Sequence, residues 1–546
     1  MPVRGKIVDK YAKYAAPAAF LIFAATLAPW AYDFPLNDDW AYALAAKALA
    51  ETGRLVLSDW GASTQLPHII SGALFAKLFG FSFAVLRLGN LLAAAAALFV
   101  FVKLLGELEI GPFEKLAAGL ALAFNPLYLV LANSFMTDVH YFFWMLLAVY
   151  FYTRNLKSPE DRRALWLAGA CTAAAYLTRQ LAVALPLAFT LALVLERRLK
   201  RRDLAAAWAL PAAAMLGYYL WFKFAHGPTW ASENYVGAAT LAHLARPGAF
   251  LNDSFYRLLS TMAETGLLLL PLAAGYAFSL KKLYSRNGTG KKAAAAGAWL
   301  ALAALAGFAL LNGPLPYLEN NLSSSGLGVL TLGGAALKPS GFFASRLFWQ
   351  LATAAAVLGA VILLRCSGLA LRGGNRALRF LFLASVLQLG VSLVGAKFFD
   401  RYLLTLLPWF AAAAAYAARG VSFSKPAVAL ALALCALPAW AGMKDYLAWN
   451  KAKWELASRP RQGLAPGEIA NGFDYEAWHN YEKNMAYLKS MKPLKMIGEW
   501  EWQKVNGYKA IVSYNPDPRF KVLDTAEYST PLSSQKGVLY LLSPQQ

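Results

Sequence analysis

Long apolar runs separated by short polar segments set the pattern of this chain from its start to about residue 442. The first run, from about Tyr14 to Trp30, is long enough to cross the hydrocarbon core of a bilayer, and Asp33 and Pro35 follow its end. Further runs of similar length recur along the chain. The pattern predicts an all-α, multi-pass membrane protein with about thirteen transmembrane helices.

Clusters of basic residues lie between these runs and predict the orientation, because cytoplasmic loops are enriched in Lys and Arg. With the basic N-terminal segment on the cytoplasmic side, alternation places clusters such as Arg162–Arg163 and Lys281–Lys282 on that side too. An odd number of spans then leaves the C-terminal part outside. The predicted spans lie near residues 14–30, 83–105, 115–131, 139–153, 165–180, 181–196, 204–222, 264–280, 293–311, 343–364, 380–396, 402–418 and 426–442.

Composition supports this interpretation. Hydrophobic residues make up 59% of the 546 residues and charged residues 15%, and the mean hydropathy is +0.43. The net charge of +22 is distributed among the loops rather than gathered in one patch, so we expect no nucleic-acid partner. The sequence has no P-loop, no H-E-x-x-H element and no serine nucleophile elbow, which argues against a nucleotide-driven pump or a membrane protease.

The pattern changes near residue 444, where polar and charged residues become frequent and no later run could span a bilayer. We therefore divide the chain into a transmembrane domain, 1–443, and a small C-terminal α/β domain, 444–546. Within the latter, the pattern predicts a helix over Glu476–Met491 and strands at Lys509–Tyr514, Phe520–Val522 and Gly537–Leu542.

Two adjacent acids stand in the predicted first outer loop, residues 31–82. Asp38 and Asp39 precede Tyr42 in this loop, and His68 lies further along it. An acidic pair in a loop is often simply solvated. Adjacent residues on a helix diverge by about 100°, so we expect one of the two acids to be catalytic and the other to assist. The segments Ala41–Ala50 and His68–Phe79 are typical of interfacial helices.

Two further outer segments carry polar groups. Asp138 and His140 stand at the start of the fourth span, where an acid could also simply cap the helix. Arg401, next to Tyr402, is suited to bidentate contact with a phosphate, although snorkelling or an ion pair with Asp400 would also place an arginine there. Lys397 and Arg179 are the other cations at the outer side.

These segments resemble motifs of the GT-C glycosyltransferases, in particular the bacterial branch related to the lipid A aminoarabinose transferase and the protein O-mannosyltransferases. Asp38-Asp39-Trp40-Ala41-Tyr42 is similar to the acidic motif of their first outer loop, which places Asp38 in the catalytic slot. Thr137-Asp138 is similar to a second acidic position, and Arg401-Tyr402 with Pro408 to a late Arg-Tyr element. Thr64–His68 stands where the aminoarabinose transferases have Glu-Lys-Pro-Pro, so the acid and the lysine are missing.

The resemblance implies a GT-C fold and transfer of a sugar, with inversion, from a polyprenyl-phosphate-linked donor to an acceptor hydroxyl. The acceptor would be a lipid such as lipid A, a glycan or a protein, at the outer, periplasmic face of a bacterial cytoplasmic membrane. It implies Asp38, Asp39 and Asp138 as catalytic residues and Arg401, Arg179 and Lys397 as donor-phosphate ligands. Tyr42, His68, His140 and Tyr402 would contact substrate. No cofactor is implied with certainty, and whether a divalent metal ion takes part stays open.

A transporter or flippase for a lipid-linked sugar is the alternative, because it too would be polytopic with scattered charges. Transporters often contain inverted repeats and carry charges near the middle of the membrane. We find no internal repeat here, and the candidate acids lie at the predicted outer boundary, which favours the enzyme.

Overall fold

The computed structural model describes residues 3–285, 291–332, 343, 345–490, 506–533 and 535–544, and is predominantly helical. Its helices in the first half of the chain are α1 Val3–Ala25, α2 Asp39–Thr52, α3 Leu66–Phe79, α4 Phe83–Glu107, α5 Pro112–Ala123, α6 Pro126–Ala132, α7 Thr137–Lys157, α8 Arg162–Thr178, α9 Ala184–Leu195, α10 Arg201–Trp221 and α11 Ala239–Leu244. The remaining helices are α12 Pro247–Leu268, α13 Leu270–Ala274, α14 Leu280–Ser285, α15 Lys291–Asn312, α16 Arg346–Arg372, α17 Arg376–Val394, α18 Leu407–Ala417, α19 Lys425–Ser458, α20 Phe473–His479 and α21 Tyr481–Ser490.

Fewer helices than predicted are long and apolar enough to cross a membrane on their own. Among the described residues there are seven, or eight if the bent pair α5 and α6 forms one span. Several other predicted spans are helical but short or interrupted. The predicted span at 402–418, for example, is a 3₁₀ turn, Asp400–Thr405, followed by α18. Hydropathy counts apolar residues and does not detect such breaks, which account for part of the difference from about thirteen. Helices α7 and α8 are unbroken but too short or too polar to be counted as spans on their own.

The break between α5 and α6 shows how the sequence interrupts a span. Pro126 occupies the first turn of α6, and the Asn125 side chain accepts hydrogen bonds from the backbone N–H groups of Leu127 and Tyr128. Proline at this position and an Asn cap start a new helix, so the two helices meet at 59°. The Asn125 amide also donates to the carbonyl of Leu268, 3.1 Å away, which ties the bend to α12.

Alanine-rich helix faces form much of the interior. All five alanines of Ala411–Ala415 in α18 are buried, and Ala94 and Ala97 in α4 are fully buried as well. Small side chains let neighbouring backbones approach closely, which is how helices pack in the absence of water.

The last long helix, α19, extends for 34 residues from Lys425 to Ser458, so the predicted domain boundary at residue 444 lies within it. A four-stranded sheet follows, whose strands lie side by side in the order Ile469–Ala470, Ala510–Ser513, Gly537–Pro544 and Phe520–Tyr528, and only the first two of these are parallel. The predicted helix over Glu476–Met491 is divided into α20 and α21 at Asn480, and Met491 lies outside the described residues. A short hairpin, β1 Leu322–Ser323 and β2 Gly326–Leu327, precedes this sheet, whose strands are β3 Ile469–Ala470, β4 Ala510–Ser513, β5 Phe520–Tyr528 and β6 Gly537–Pro544.

Candidate active site

A buried arginine fixes the start of the first predicted outer loop. The Arg87 guanidinium, on α4, donates to the carbonyl oxygens of Pro29, Tyr32, Phe34 and Asn133 at 2.6–3.1 Å. Five donors in a rigid plane can hold several carbonyls at once, which a lysine could not do with the same geometry. The chain that leads to α2 therefore has a defined path.

The two adjacent acids point in different directions, as their spacing predicts. Asp39 is 1% exposed, and its Oδ2 accepts from the backbone N–H of Leu36 at 3.1 Å. Asp38 immediately precedes α2, and its Oδ1 accepts from Nε1 of Trp60 at 3.0 Å. Its Oδ2 lies 3.9 Å from a terminal nitrogen of Arg401. Asp38 thus faces the other candidate site residues, whereas Asp39 holds the turn.

Asp138, in the first turn of α7, forms an ion pair with an arginine. Its Oδ1 lies 2.6 Å from a terminal nitrogen of Arg179, which comes from the turn after α8. Asp138 also lies in the first turn of α7, where an acid complements the helix N-terminus, although α7 has no side-chain capping hydrogen bond. Asp138 is 2% exposed, and its Oδ2 has no hydrogen-bond partner among the described residues.

Arg401 completes the group, and both arginines lie near the ring of Tyr402. The guanidinium of Arg179 lies 5.6 Å from the centre of the Tyr402 ring and that of Arg401 lies 6.0 Å from it. The guanidinium of Arg401 also packs 4.9 Å from the ring of Phe399. We refer to Asp38, Asp138, Arg179 and Arg401 as the charged cluster. It contains two aspartates and two arginines, which come from four separate segments of the chain.

Asp400 does not pair with Arg401, so the ion-pair alternative for this arginine is wrong. The Asp400 carboxylate is fully buried and accepts from the backbone N–H groups of Asn321 and Leu322 at 2.6 and 2.7 Å. It also accepts from the Asn321 side-chain amide at 2.9 Å. Asp400 therefore anchors the loop that follows α15. Lys397 is exposed and makes no hydrogen bond or ion pair with the charged cluster in the described part of the chain.

The other predicted site residues lie beside the cluster. Tyr42, on the first turns of α2, packs edge-on against His68 at 5.5 Å, and His68 lies 4.9 Å from His140. All three side chains are buried. Neither ring nitrogen of His68 has a hydrogen-bond partner among the described residues. Gln65, one turn earlier in the chain, is also buried without a side-chain partner there.

Trp60 is a site residue that the sequence motifs did not single out. It lies 22 positions after Asp38 with no helical or strand repeat connecting the two. A tryptophan in the first outer loop is the only signal the sequence offered. Helices α20 and α21 pack on this same loop: Trp478 stacks on Phe81 at 6.1 Å, and the Tyr481 hydroxyl accepts from the backbone N–H of Asp59 at 2.8 Å.

Burial and neighbouring charges set the electrostatics of the loop. Burial raises the pKa of Asp38, and the positive charge of Arg401 and the hydrogen bond from Trp60 oppose that rise. Burial raises the pKa of Asp39 to about 7 and that of Tyr42 to about 12. Burial also raises the pKa of Asp400, to about 6, against the effect of its three hydrogen bonds.

The side chains of the cluster do not form a metal-binding set. No group of three or more His, Cys, Asp or Glu side chains within the described ranges is arranged to hold a metal ion. One oxygen of each acid in the charged cluster is already held, Asp38 by Trp60 and Asp138 by Arg179.

Sequence comparison gives one family match. The family described as dolichyl-phosphate-mannose-protein mannosyltransferase matches residues 69–222, less than a third of the chain, and this segment includes Asp138 and Arg179. No curated protein sequence matches the chain.

Three solved structures resemble the fold over nearly its whole length. ArnT from Cupriavidus metallidurans bound to undecaprenyl phosphate has a TM-score of 0.41 and 12% identity, over 96% of this chain and 97% of that chain. Its apo state has a TM-score of 0.40 and 14% identity, over 97% and 98%. The archaeal oligosaccharyltransferase AglB from Archaeoglobus fulgidus, in complex with an inhibitory peptide and a dolichol-phosphate, has a TM-score of 0.46 and 13% identity, over 92% and 69%.

Because all three TM-scores lie below 0.5, these likenesses carry no argument about residues or substrates. The family match is independent of them and coincides with the segment that supplies half of the charged cluster. It confirms, over residues 69–222, the resemblance of this chain to the GT-C glycosyltransferases drawn from the sequence motifs.

Proposed function

We propose that the protein is a membrane glycosyltransferase that moves a sugar from a polyprenyl-phosphate-linked donor to an acceptor hydroxyl at the outer face of the membrane. One observation carries the proposal. The side chain of Arg401 is only 12% exposed and lies beside Asp38, and its Nε and one terminal nitrogen are buried without hydrogen-bond partners among the described residues. Buried guanidinium groups are normally hydrogen-bonded, so unpaired donors at this position favour an anionic ligand.

A sugar phosphodiester fits this site. Arg401 can hold two phosphate oxygens at once through its planar set of donors. Its contact with Asp38 is 3.9 Å, too long for a hydrogen bond, so a phosphate would not have to displace a strong partner. Arg179 is held by Asp138 at 2.6 Å and lies against the same Tyr402 ring as Arg401, where it can support the same phosphate.

The reaction is a single displacement at the anomeric carbon. The acceptor oxygen forms a bond to C1 of the sugar while the bond from C1 to the phosphate oxygen breaks. The acceptor proton passes to Asp38, and the electron pair of the broken bond stays on the polyprenyl phosphate. The attack comes from the face opposite the leaving group, so the anomeric configuration inverts.

Asp38 has the environment of a general base. Burial raises its pKa, which strengthens the carboxylate as a base, while Arg401 and Trp60 favour its ionised form. The leaving phosphate gains negative charge as the bond breaks, and Arg401 stabilises that charge without having to reorganise. Asp39 is not placed for this role, because its carboxylate faces the Leu36 amide and Arg87.

The proposed test uses the protein in lipid nanodiscs with polyprenyl phosphates that carry labelled mannose, glucose or 4-amino-4-deoxyarabinose. Acceptors are a serine- and threonine-rich peptide, lipid A and a short glycan. We expect label to leave one donor with release of polyprenyl phosphate, and D38N to abolish that release. If the wild-type protein cleaves none of these donors, or D38N cleaves as fast as wild type, the proposed function is wrong.

The proposed outer location has its own test. Asp38, Arg401 and the helices α20 and α21 lie on the same side of the molecule, because α20 and α21 contact the loop that carries Asp38. A cysteine introduced at exposed Lys489 should react with a membrane-impermeant maleimide in right-side-out vesicles. Reaction only in inverted vesicles would place the site on the cytoplasmic face instead.

A further inference from the structure

The proposed base is held by a tryptophan from further along the same loop. Nε1 of Trp60 donates to Oδ1 of Asp38 at 3.0 Å. The other oxygen, Oδ2, is the one that faces Arg401. An indole N–H is a donor only, so this bond forms with an acceptor oxygen and fixes which oxygen points away from the cluster.

Aromatic rings hold the indole in place. The Trp60 ring stacks on Trp230 at 5.8 Å with an interplanar angle of 8°, and lies 6.1 Å from Trp40. Phe473, at the start of α20, contacts it at 5.6 Å. Ring pairs at these separations contribute beyond the area they bury, and four rings together leave few alternative rotamers for the indole.

The residues just before Trp60 are clamped to the C-terminal part of the chain. The Tyr481 hydroxyl accepts from the backbone N–H of Asp59, and the Asp59 carboxylate pairs with Lys489 at 2.6 Å. The backbone N–H of Ala231 donates to the carbonyl of Asp59 at 2.9 Å. The position of Trp60 thus depends on contacts from segments more than 160 residues away in sequence.

We propose that Trp60 is a positioning residue for Asp38, and that helices α20 and α21 maintain the geometry of the base by holding the Trp60 indole. The proposal rests on the proposed function for its catalytic consequence. The hydrogen bond leaves Oδ2 as the oxygen that receives the acceptor proton. Without the bond the carboxylate can rotate about its terminal torsion and present either oxygen.

The indole also affects the proton affinity of Asp38. A hydrogen bond to the ionised form favours that form, so its removal raises the pKa of the carboxyl. The other charged and titratable groups facing Asp38 are Arg401, Asp138, Tyr42 and Asp39. A substitution of Trp60 leaves the chemical identity of all four unchanged, and the matched W478F control below separates loss of the indole donor from a general change in packing.

The test compares W60F with W478F. The first keeps an aromatic ring and removes the donor, and the second makes the same change at a tryptophan that stacks on Phe81 in the same interface without reaching Asp38. The readout is the pH dependence of Asp38 labelling by dicyclohexylcarbodiimide, which adds to protonated carboxyl groups, measured by mass spectrometry of the labelled peptide. This measurement needs no substrate.

We expect the labelling midpoint to move to higher pH in W60F and to stay at the wild-type value in W478F. With labelled polyprenyl-phosphate mannose as the probe, transfer or donor cleavage at pH 7 should fall about ten- to a hundredfold in W60F, since hydrogen bonds to charged groups are of that strength. The low-pH limb of the rate should shift in the same direction as the midpoint.

An unchanged midpoint in W60F, or an equal shift in W478F, would overturn the proposal. These outcomes are distinct from failure of the proposed function, which D38N decides on its own. A loss of rate in W60F with an unchanged pH profile would assign Trp60 a packing role only, which also contradicts the proposal.

Discussion

Two groups of buried charges in this protein are built in opposite ways. Lys453 and Asp474 are both fully buried, with 2.5 Å between Nζ and Oδ1. Nζ also donates to Thr331 at 2.8 Å, and Asp474 Oδ2 accepts from Trp454 at 3.0 Å. In the charged cluster, by contrast, Arg401 keeps two nitrogens, and Asp138 one oxygen, without partners among the described residues.

This difference in hydrogen bonding indicates a structural role for the Lys453–Asp474 pair and a functional role for the charged cluster. A buried charge pair whose hydrogen-bonding capacity is filled can only hold elements together, and here it joins α19 to α20 and to the loop at Thr331. A buried charge with capacity left over is costly unless something else occupies it during the working cycle. Unfilled hydrogen-bonding capacity therefore distinguishes the candidate site from the Lys453–Asp474 pair, whereas charge and burial alone do not.

The largest expected effect comes from removing the proposed base. D38N keeps the size of the side chain and its bond to Trp60 as an acceptor, but it cannot take up the acceptor proton. We expect transfer to fall about a hundred- to ten-thousandfold, with an unchanged melting temperature. The measurement is the initial rate of donor cleavage, with D39N as the matched control. A dead D39N and an active D38N would exchange the roles of the two acids.

Disruption of the Lys453–Asp474 pair should instead lower the stability of the protein. K453M removes the charge and leaves Asp474 buried without its counterion, which we expect to cost about 3–5 kcal/mol in the free energy of unfolding. The melting temperature of the purified protein, followed by intrinsic fluorescence, should fall, while the rate per folded molecule changes little. A large loss of rate at wild-type stability would erase the distinction between the two groups.

Arg401 tests the unfilled cluster directly. R401A should cost about 2–4 kcal/mol in transition-state stabilisation, the range for losing one preorganised donor, and R401K should keep part of the rate. The neighbouring D400N is the control, because Asp400 anchors Asn321 and Leu322 and not Arg401. We expect D400N to lower the melting temperature more than the rate. Equal losses of stability in R401A and D400N would contradict a phosphate role for Arg401.

A smaller effect follows from the pKa of Asp39, which burial raises to about 7. Unfolding lets this carboxyl titrate at its ordinary value near 4, so the folded state holds the proton over a range in which the unfolded state has released it. Stability should therefore decrease as pH rises from about 4 to 7 and then level off. Melting temperatures of wild type and D39N across this range measure it, and parallel curves would show that Asp39 does not titrate in this way.

Sequence patterns predicted the helical fold, the two helices α2 and α3 after the first span and the three strands β4, β5 and β6. The different directions of the Asp38 and Asp39 side chains were predicted from the helical repeat. The number of spans did not, because breaks such as the one at Pro126 interrupt runs that hydropathy reads as continuous.

The site could be predicted only in part. Asp38, Asp138, Arg179 and Arg401 were each identified from local patterns, yet their mutual contacts depend on how four segments pack. The sequence could not show whether Arg401 pairs with Asp400. The structure shows that Asp400 instead accepts a hydrogen bond from Asn321, which lies on a different loop. Trp60 could not be found from spacing at all, since its relation to Asp38 exists only in the folded loop.

The contacts between Asp59 and Lys489 and between Asp59 and Tyr481 also have a consequence for the order of synthesis. Residues near 59 leave the ribosome early, whereas the helices that clamp them emerge after more than 400 further residues have been translated. The loop that carries Asp38 therefore stays without its clamp while most of the chain is inserted. A nascent chain that ended before α20 would contain Asp38 and Asp138 but not the contacts that position Trp60 beside Asp38. The site can therefore take its final geometry only after α20 and α21 have been translated.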